Sequence, residues 1–313
     1  MTGERRLSGN PIIPGRGVCD PHVRIYGDRA YLYATHDKSP QSPGFVMDDW
    51  WIWSSPDLVA WTHECTIRPE NTYYGKPDSN CWAVDSIARN GKHYLYFSRG
   101  PRDIGVVVAD SPVGPWRDPL GKPLVADGSV ATEARDPGLF MDDDGEYYIV
   151  FGTFDFYIAR MGGTMDRLAE TPRAIKISNP EGPYGRGKTD DKPYLHKRNG
   201  VYYLSWGCYY GTSEHVYGPY ECRGSIILEE NVVPELRYKH CSITMDRHGS
   251  FFEWRNQWYF ICNEMGITQN GIFRDSSLSC VNYSSNGDIT PIRITREGVA
   301  LPQKVCATDC GKH

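Results

Sequence analysis

One phrase, repeated five times, constrains this chain more than any other feature. A turn followed by alternating aromatic and aliphatic residues recurs at Gly27-Asp28-Arg29-Ala30-Tyr31-Leu32-Tyr33, Asn90-Gly91-Lys92-His93-Tyr94-Leu95-Tyr96, Asp144-Gly145-Glu146-Tyr147-Tyr148-Ile149-Val150, Asn199-Gly200-Val201-Tyr202-Tyr203-Leu204 and Arg255-Asn256-Gln257-Trp258-Tyr259-Phe260. Each reads as a hairpin turn leading into a strand, because the turn residues accept positive φ and the residues after them suit a pleated, half-buried surface. One polar residue stands ahead of each turn: Asp20, Asp85, Asp136, Asp191 and His248, spaced 65, 51, 55 and 57 residues apart. Later in their units, Ser55-Pro56-Asp57, Ala109-Asp110-Ser111-Pro112 and Tyr217-Gly218-Pro219-Tyr220 read as closing turns. A repeat of roughly 40–60 residues is the mark of a propeller or a solenoid. The prediction is an all-β chain, a five-bladed β-propeller, with residues 1–313 forming a single domain.

Composition agrees with many short strands and tight turns: 21 Tyr and 9 Trp supply the strands, and 32 Gly with 22 Pro supply the turns. The 34 basic and 39 acidic residues are scattered, leaving a net charge of -5. No basic stripe is present to hold a nucleic acid or an anionic membrane, and a neutral polar ligand suits the surface better. No apolar run reaches the ~18 residues of a membrane span. The N-terminus lacks the basic, apolar, small-residue order of a secretory signal, so a soluble protein of the cytoplasm or periplasm is expected. The ten cysteines are dispersed, without a CxxC pair or zinc spacing, and are expected to be mostly buried thiols. Nothing in the sequence specifies an oligomeric state.

In a propeller the innermost strand of every blade runs along the central channel, so residues at equivalent places in the repeat converge although they are remote in sequence. A single Asp beside Pro, as in Asp20-Pro21 or Asp136-Pro137, is ordinary turn chemistry. Five polar residues at one place in the repeat instead predict one site. A propeller can also serve as a binding platform, but the signature phrases of WD repeats are absent.

The order of phrases along nearly the whole chain resembles the family 43 glycoside hydrolases and their five-bladed relatives. Asn10-Pro11-Ile12-Ile13-Pro14-Gly15 with Cys19-Asp20-Pro21-His22-Val23 is similar to the opening of that family, Trp82-Ala83-Val84-Asp85 to its second-blade phrase, and Arg135-Asp136-Pro137-Gly138 to its third. Arg247-His248-Gly249-Ser250-Phe251 and Asn286-Gly287-Asp288-Ile289 fit later parts. The resemblance implies a hydrolase acting with inversion on a terminal sugar of a plant or algal polysaccharide fragment, with Asp20 as the base that activates water and Asp136 as the carboxylate that tunes the acid. Inverting hydrolysis needs that base and a protonated acid roughly 6.5–9.5 Å apart, and a like charge near the acid keeps it protonated.

The acid is where the chain departs from the family. Glu-Gly-Pro usually precedes the fourth-blade strand, whereas Asp190-Asp191-Lys192-Pro193 stands here, and a literal Glu181-Gly182-Pro183 lies ten residues earlier. Three candidates stay open. Asp191 occupies the expected Glu position. His248 takes the role by likeness to the family 117 anhydro-galactosidases, and Glu181 would have to swing in from a loop. Trp82, Asp85, Trp206 and Arg274 are the expected substrate-binding residues, the tryptophans as stacking faces and Arg274 as a hydroxyl partner. No cofactor is required, and His248 is the expected ligand should a structural calcium sit in the channel. Family 43 implies arabinofuranosides or xylosides as substrates, family 117 implies anhydro-galactose termini, and an inactive sugar-binding propeller is the rival from outside enzymology.

Overall fold

The repeat units seen in the sequence become five antiparallel sheets, described by a computed structural model over residues 6–302. Blade 1 comprises β1 (Val18–Tyr26), β2 (Arg29–His36), β3 (Trp50–Ser55) and β4 (Thr62–Ile67), in that spatial order. Blade 2 holds β5 (Cys81–Arg89), β6 (Lys92–Arg99) and β7 (Asp103–Ala109). Blade 3 holds β8 (Gly138–Met141), β9 (Tyr147–Thr153), β10 (Asp155–Arg160) and β11 (Arg173–Ala174). A short strand, β12 (Ile177–Ser178), and a two-stranded hairpin of β13 (Glu181–Gly182) and β14 (Gly185–Arg186) follow. Blade 4 is β15 (Pro193–Arg198), β16 (Val201–Trp206), β17 (Tyr209–Ser213) and β18 (Tyr220–Ser225), with β12 added in parallel at its outer edge. Blade 5 is β19 (Gly249–Trp254), β20 (Gln257–Glu264) and β21 (Asp275–Val281).

The first strands of the blades touch in a closed cycle: β1 meets β5, β5 meets β8, β8 meets β15, β15 meets β19, and β19 returns to β1. This cycle is the wall of the axial channel, and it brings chain positions more than two hundred residues apart into contact. All five repeated phrases form the turn between the first and second strand of a blade. Asn90-Gly91, Asn199-Gly200 and Arg255-Asn256 have positive φ at both residues, the backbone that suits the twist of a tight hairpin.

Between blades the aromatic residues form the core. Tyr194, Tyr203, Phe251 and Phe260 pack between blades 4 and 5, and Leu32, Tyr259, Ile261 and Leu278 between blades 5 and 1. The N-terminal stretch closes the ring. Asn10 Nδ2 donates to Leu278 O (3.0 Å) and Thr295 O (2.8 Å), its Oδ1 accepts from Leu278 N (2.8 Å), and Ile12 N donates to Ser276 O (2.9 Å). The eight described cysteines are free. Only Cys19, Cys81, Cys208 and Cys262 are buried, while Cys241 and Cys280 are exposed, so the expectation of mostly buried thiols holds for half of them. Cys306 and Cys310 lie outside the described residues.

Candidate active site

At one mouth of the channel the sheets leave a cavity of about 400 Å³. Its polar floor is built by residues at the start of the inner strands: Asp20 from β1, Asp136 just ahead of β8, Asp190 and Asp191 ahead of β15, and Asp246 and His248 ahead of β19. Trp82, Phe45, Tyr184 and Tyr238 form aromatic walls. The backbone bends sharply here, with φ of +46° at Asp20, +57° at Asp136, +54° at Lys192 and +52° at Asp246. Such left-handed residues cost on the order of 1 kcal/mol or more each and persist where the surrounding structure holds them, commonly at functional sites.

His248 is the centre of the cluster. Its Nδ1 lies 3.1 Å from Asp246 Oδ1 and 3.5 Å from Asp20 Oδ1, and its Nε2 lies 2.5 Å from Asp191 Oδ1 and 3.5 Å from Asp190 Oδ2. Asp20 and Asp191 therefore face opposite edges of one imidazole. The ring is fixed by its neighbours in sequence. A Cβ on Gly249 would fall 1.9 Å from Ile261 O, so only glycine lets the chain approach β20 this closely. Arg247, fully buried, donates to the carbonyls of Asn263 (2.9 Å), Ile243 (3.1 Å) and Leu236 (3.3 Å).

Arginines divide the carboxylates into two sets. Arg274 donates through Nη1 to Asp20 (3.3 Å) and Asp246 (3.3 Å), and through Nε and Nη2 to Asp37 (2.9 and 3.0 Å). Asn263 clamps Asp20 from the other side, accepting its N–H at 2.7 Å and donating to its Oδ1 at 3.0 Å. On the opposite wall Arg135 donates to Asp191 Oδ2 (3.1 Å), lies 3.8 Å from Asp136 Oδ2, and stacks 5.3 Å over the Trp82 ring. Asp136 Oδ2 also accepts the Lys192 N–H at 3.2 Å.

The charges that result differ from group to group. Burial by itself raises the Asp20 carboxyl, but the Arg274 guanidinium and His248 outweigh it and hold Asp20 well below the usual carboxylate range. Asp136 is pushed up to about 7, first by burial and then by the charges of Asp191 and Asp20, against the pull of Arg135. Burial likewise raises Asp246 to about 6, with Arg274 and His248 opposing. Burial disfavours a charged His248, yet Asp191 and Asp246 overcome it and raise the imidazole well above its ordinary value. Against the same burial, His248 and then Arg135 lower Asp191. The arrangement offers one ionised carboxylate beside Arg274 and one proton held between Asp191 and His248.

Asp20, Asp136, Asp191, His248, Trp82 and Arg274 thus meet at the cavity. Three of the residues expected there do not. Asp85 sits deeper on the axis, fully buried and committed to the Arg24 guanidinium and the Leu139 N–H, because β5 presents Trp82 and Ala83 at the level of the cavity. Trp206 is fully buried in the blade 4 core beside Phe156, with its indole N–H donated to Glu181 O at 2.7 Å, so it offers no stacking face. Glu181 belongs to the β13–β14 hairpin and does not line the cavity, which Tyr184 reaches instead. Arg274 does reach it, but with 4% of its side chain exposed and its nitrogens engaged by carboxylates it is placed to hold Asp20 more than to meet a sugar.

Sequence reasoning missed Asp190, Asp246, Arg135, Asn263 and Asp37. The first three carried a signal, since each lies within two residues of a site residue already recognised. Asn263 and Asp37 come from the far ends of second strands, or just past them, and reach the site only through folding.

The family model described as Glycosyl hydrolases family 43 matches residues 8–289. Among curated proteins, the chain is 30% identical to the β-D-galactofuranosidase xynD of Aspergillus niger over 95% of its own length and 88% of that protein. It is 26% identical to the arabinoxylan arabinofuranohydrolase of Paenibacillus polymyxa over 94% of its length, and spans 53% of that longer protein. Among solved structures it superposes on CoXyl43, a β-xylosidase/α-arabinofuranosidase from a compost microbial metagenome bound to xylotriose in a calcium-free form. The TM-score is 0.75 at 24% identity, covering 92% of this chain and 98% of that one, and at that identity the likeness is one of fold. With the family match extending over nearly the whole propeller, this chain belongs to glycosyl hydrolase family 43, the glycosidases that hydrolyse O-glycosyl bonds.

Proposed function

We propose that the chain removes a terminal arabinofuranosyl or xylosyl residue from plant-type oligosaccharides, with inversion at the anomeric carbon. The observation that carries this reading is the placement of an ionised Asp20 and the Asp191 carboxyl at opposite edges of the proton-bearing His248 imidazole, at the floor of a cavity in the size range of small-ligand sites. Asp20 takes a proton from water, whose oxygen bonds to the anomeric carbon. The glycosidic bond breaks on the opposite face, and the proton held between Asp191 and His248 passes to the leaving oxygen. Asp191 is the partner that delivers it. It is the more exposed of the two, and His248 abuts Asp20 too closely for a sugar ring to stand between them. Asp136 stands beside that pair, held in place by Arg135 and the Lys192 N–H. The reaction draws on carboxylates and water and needs no cofactor.

A calcium held by His248 does not fit this donor set. Calcium takes six to eight oxygen ligands. The two carboxylate groups around His248, Asp20 with Asp246 and Asp190 with Asp191, are already met by Arg274 and Arg135.

The Aspergillus niger relative supports a second reading, a β-D-galactofuranoside as substrate, because it is matched at 30% identity over 88% of its length, against 26% and 53% for the arabinoxylan relative. A panel of 4-nitrophenyl α-L-arabinofuranoside, β-D-xyloside and β-D-galactofuranoside with matching oligosaccharides decides between them, and proton NMR of the first-formed anomer reports inversion or retention. Binding without turnover of any member, or turnover that survives Asp20→Asn, overturns the glycosidase reading in favour of a sugar-binding propeller.

A further inference from the structure

Below the cavity floor the axis carries a lysine that the reaction described above does not use. Lys192 follows Asp191 directly and is 1% exposed. It occupies the position where the resemblance to the family leads one to expect glycine, and its backbone confirms the oddity: φ is +54°, a conformation that glycine adopts freely and lysine only at a cost. Burying an ammonium is a second cost, of several kcal/mol when unpaired. Two penalties at one residue point to a purpose for the charge.

The surroundings define what the charge does. Lys192 Nζ lies 3.0 Å from Nδ1 of His22, itself fully buried on β1. The imidazole accepts from the ammonium, which places the ring proton on Nε2, towards the Val84 main chain and 3.9 Å from Asp85 Oδ2. Asp85 in turn holds Arg24. From the cavity downwards the axis therefore alternates in sign: the Asp20 carboxylate, the Lys192 ammonium, a neutral His22, the Asp85 carboxylate and the Arg24 guanidinium. Burial makes Lys192 easier to deprotonate than a free lysine, and the surrounding Asp20, Asp136, Asp85 and Asp191 oppose this only in part. Burial and the neighbouring Lys192 and Arg24 charges push His22 well below its ordinary value, in keeping with a neutral acceptor.

We propose that the Lys192 ammonium is a built-in axial cation: it supplies from beneath the floor the positive charge that a bound divalent metal would provide, holds Asp20 and Asp136 in their working arrangement, and makes hydrolysis independent of added metal. Lys192 is a positioning residue: its main-chain N–H donates to Asp136 (3.2 Å) and its ammonium meets His22 (3.0 Å), and it does not line the cavity. The inference deepens the glycosidase reading and rests on it.

The test starts from a substrate that wild type turns over and that Asp20→Asn does not, so that failure at this stage counts against the glycosidase reading and not against Lys192. Wild type dialysed against EDTA is expected to keep its full rate, with no gain on adding calcium. Lys192→Gly relieves the left-handed strain and opens a channel the size of the lost side chain. Its kcat is expected to fall about 100-fold, the scale of losing one preorganised electrostatic group, with KM nearly unchanged and at least part of the rate restored by millimolar ethylammonium or calcium. Lys192→Met fills the channel with a neutral chain and is expected to lose kcat equally without rescue by either cation. Loss of wild-type activity in EDTA with recovery in calcium overturns the proposal. So does unchanged kcat in either variant, the same rescue of both variants, or failure of both to fold, which would make Lys192 a structural residue only.

Discussion

At the scale of single residues, the site works by giving chemically identical groups different charges. Asp20 and Asp136 are both buried aspartates at kinked backbone positions, yet Arg274 and His248 hold the first ionised while burial and like charges leave the second protonated up to about pH 7. Asp20→Asn, which removes the base and keeps the shape, is expected to lower kcat by about 10²- to 10⁴-fold on every substrate, measured by steady-state kinetics. Asp191→Asn is expected to lose a comparable factor on natural oligosaccharides but far less on an aryl glycoside with a strongly acidic phenol, because a good leaving group departs without a proton. If His248→Asn shows that leaving-group dependence and Asp191→Asn does not, the imidazole is the donor. Asp246→Asn removes one of the two carboxylates that raise His248 most. The alkaline limb of kcat/KM is then expected to move to lower pH while the enzyme stays active, and a pH profile of variant against wild type reads the shift.

At the scale of elements, the inner strands carry the chemistry and the ring closure keeps them in place. Asp136, Asp191 and His248 all sit one or two residues ahead of a first strand, where the chain turns into the channel, whereas Asp20 lies within β1 at a register shift between Cys19 and His22. The N-terminal stretch adds to that closure. Asn10 alone makes three hydrogen bonds to Leu278 and Thr295 while 3% exposed. Asn10→Ala leaves those backbone groups unpaired in a dry seam, and the expected cost is about 2–4 kcal/mol, seen as a lower denaturant midpoint, with kcat unchanged below the transition. The short outer strand β12 joins blade 4 in parallel from the segment between blades 3 and 4, so it ties two consecutive repeats together rather than extending one.

At the scale of the whole molecule, concentrating like charges on one axis sets a stability that depends on pH. For Asp136 and Asp246 the fold favours the protonated form, so their contribution is fully present below the ordinary carboxylate value of 3.8 and is lost as pH rises towards about 6 for Asp246 and about 7 for Asp136. Asp20 and Asp191 have the opposite sign, stabilising the fold above that ordinary value and losing it on acidification. Asp136→Asn is therefore expected to be more stable than wild type at pH 8, by about 2 kcal/mol or on the order of 3 °C in melting temperature, with the gain vanishing near pH 4. Equal melting shifts at both pH values would contradict this assignment of charge. The repeat, its turns and the residues that open each unit were legible in the sequence because hairpin chemistry and strand alternation are local, and a period is visible without knowing where the units meet. Four of the five opening residues do meet at the cavity. Asp85 does not, because one bulge near Trp82 sets which residue of β5 faces the mouth, and a bulge is decided by pairing with the neighbouring strand. Trp206 and Trp82 look alike in sequence, and only the packing of blade 4 makes one of them core and the other wall. The choice among Asp191, His248 and Glu181, the Asn263 and Arg274 clamp on Asp20, and the ammonium beneath the floor all arise from contacts between blades. Sequence by itself determined the number of blades and the carboxylates available; tertiary structure decided which of them share protons, because electrostatic coupling depends on distance and burial, and both are properties of the closed ring.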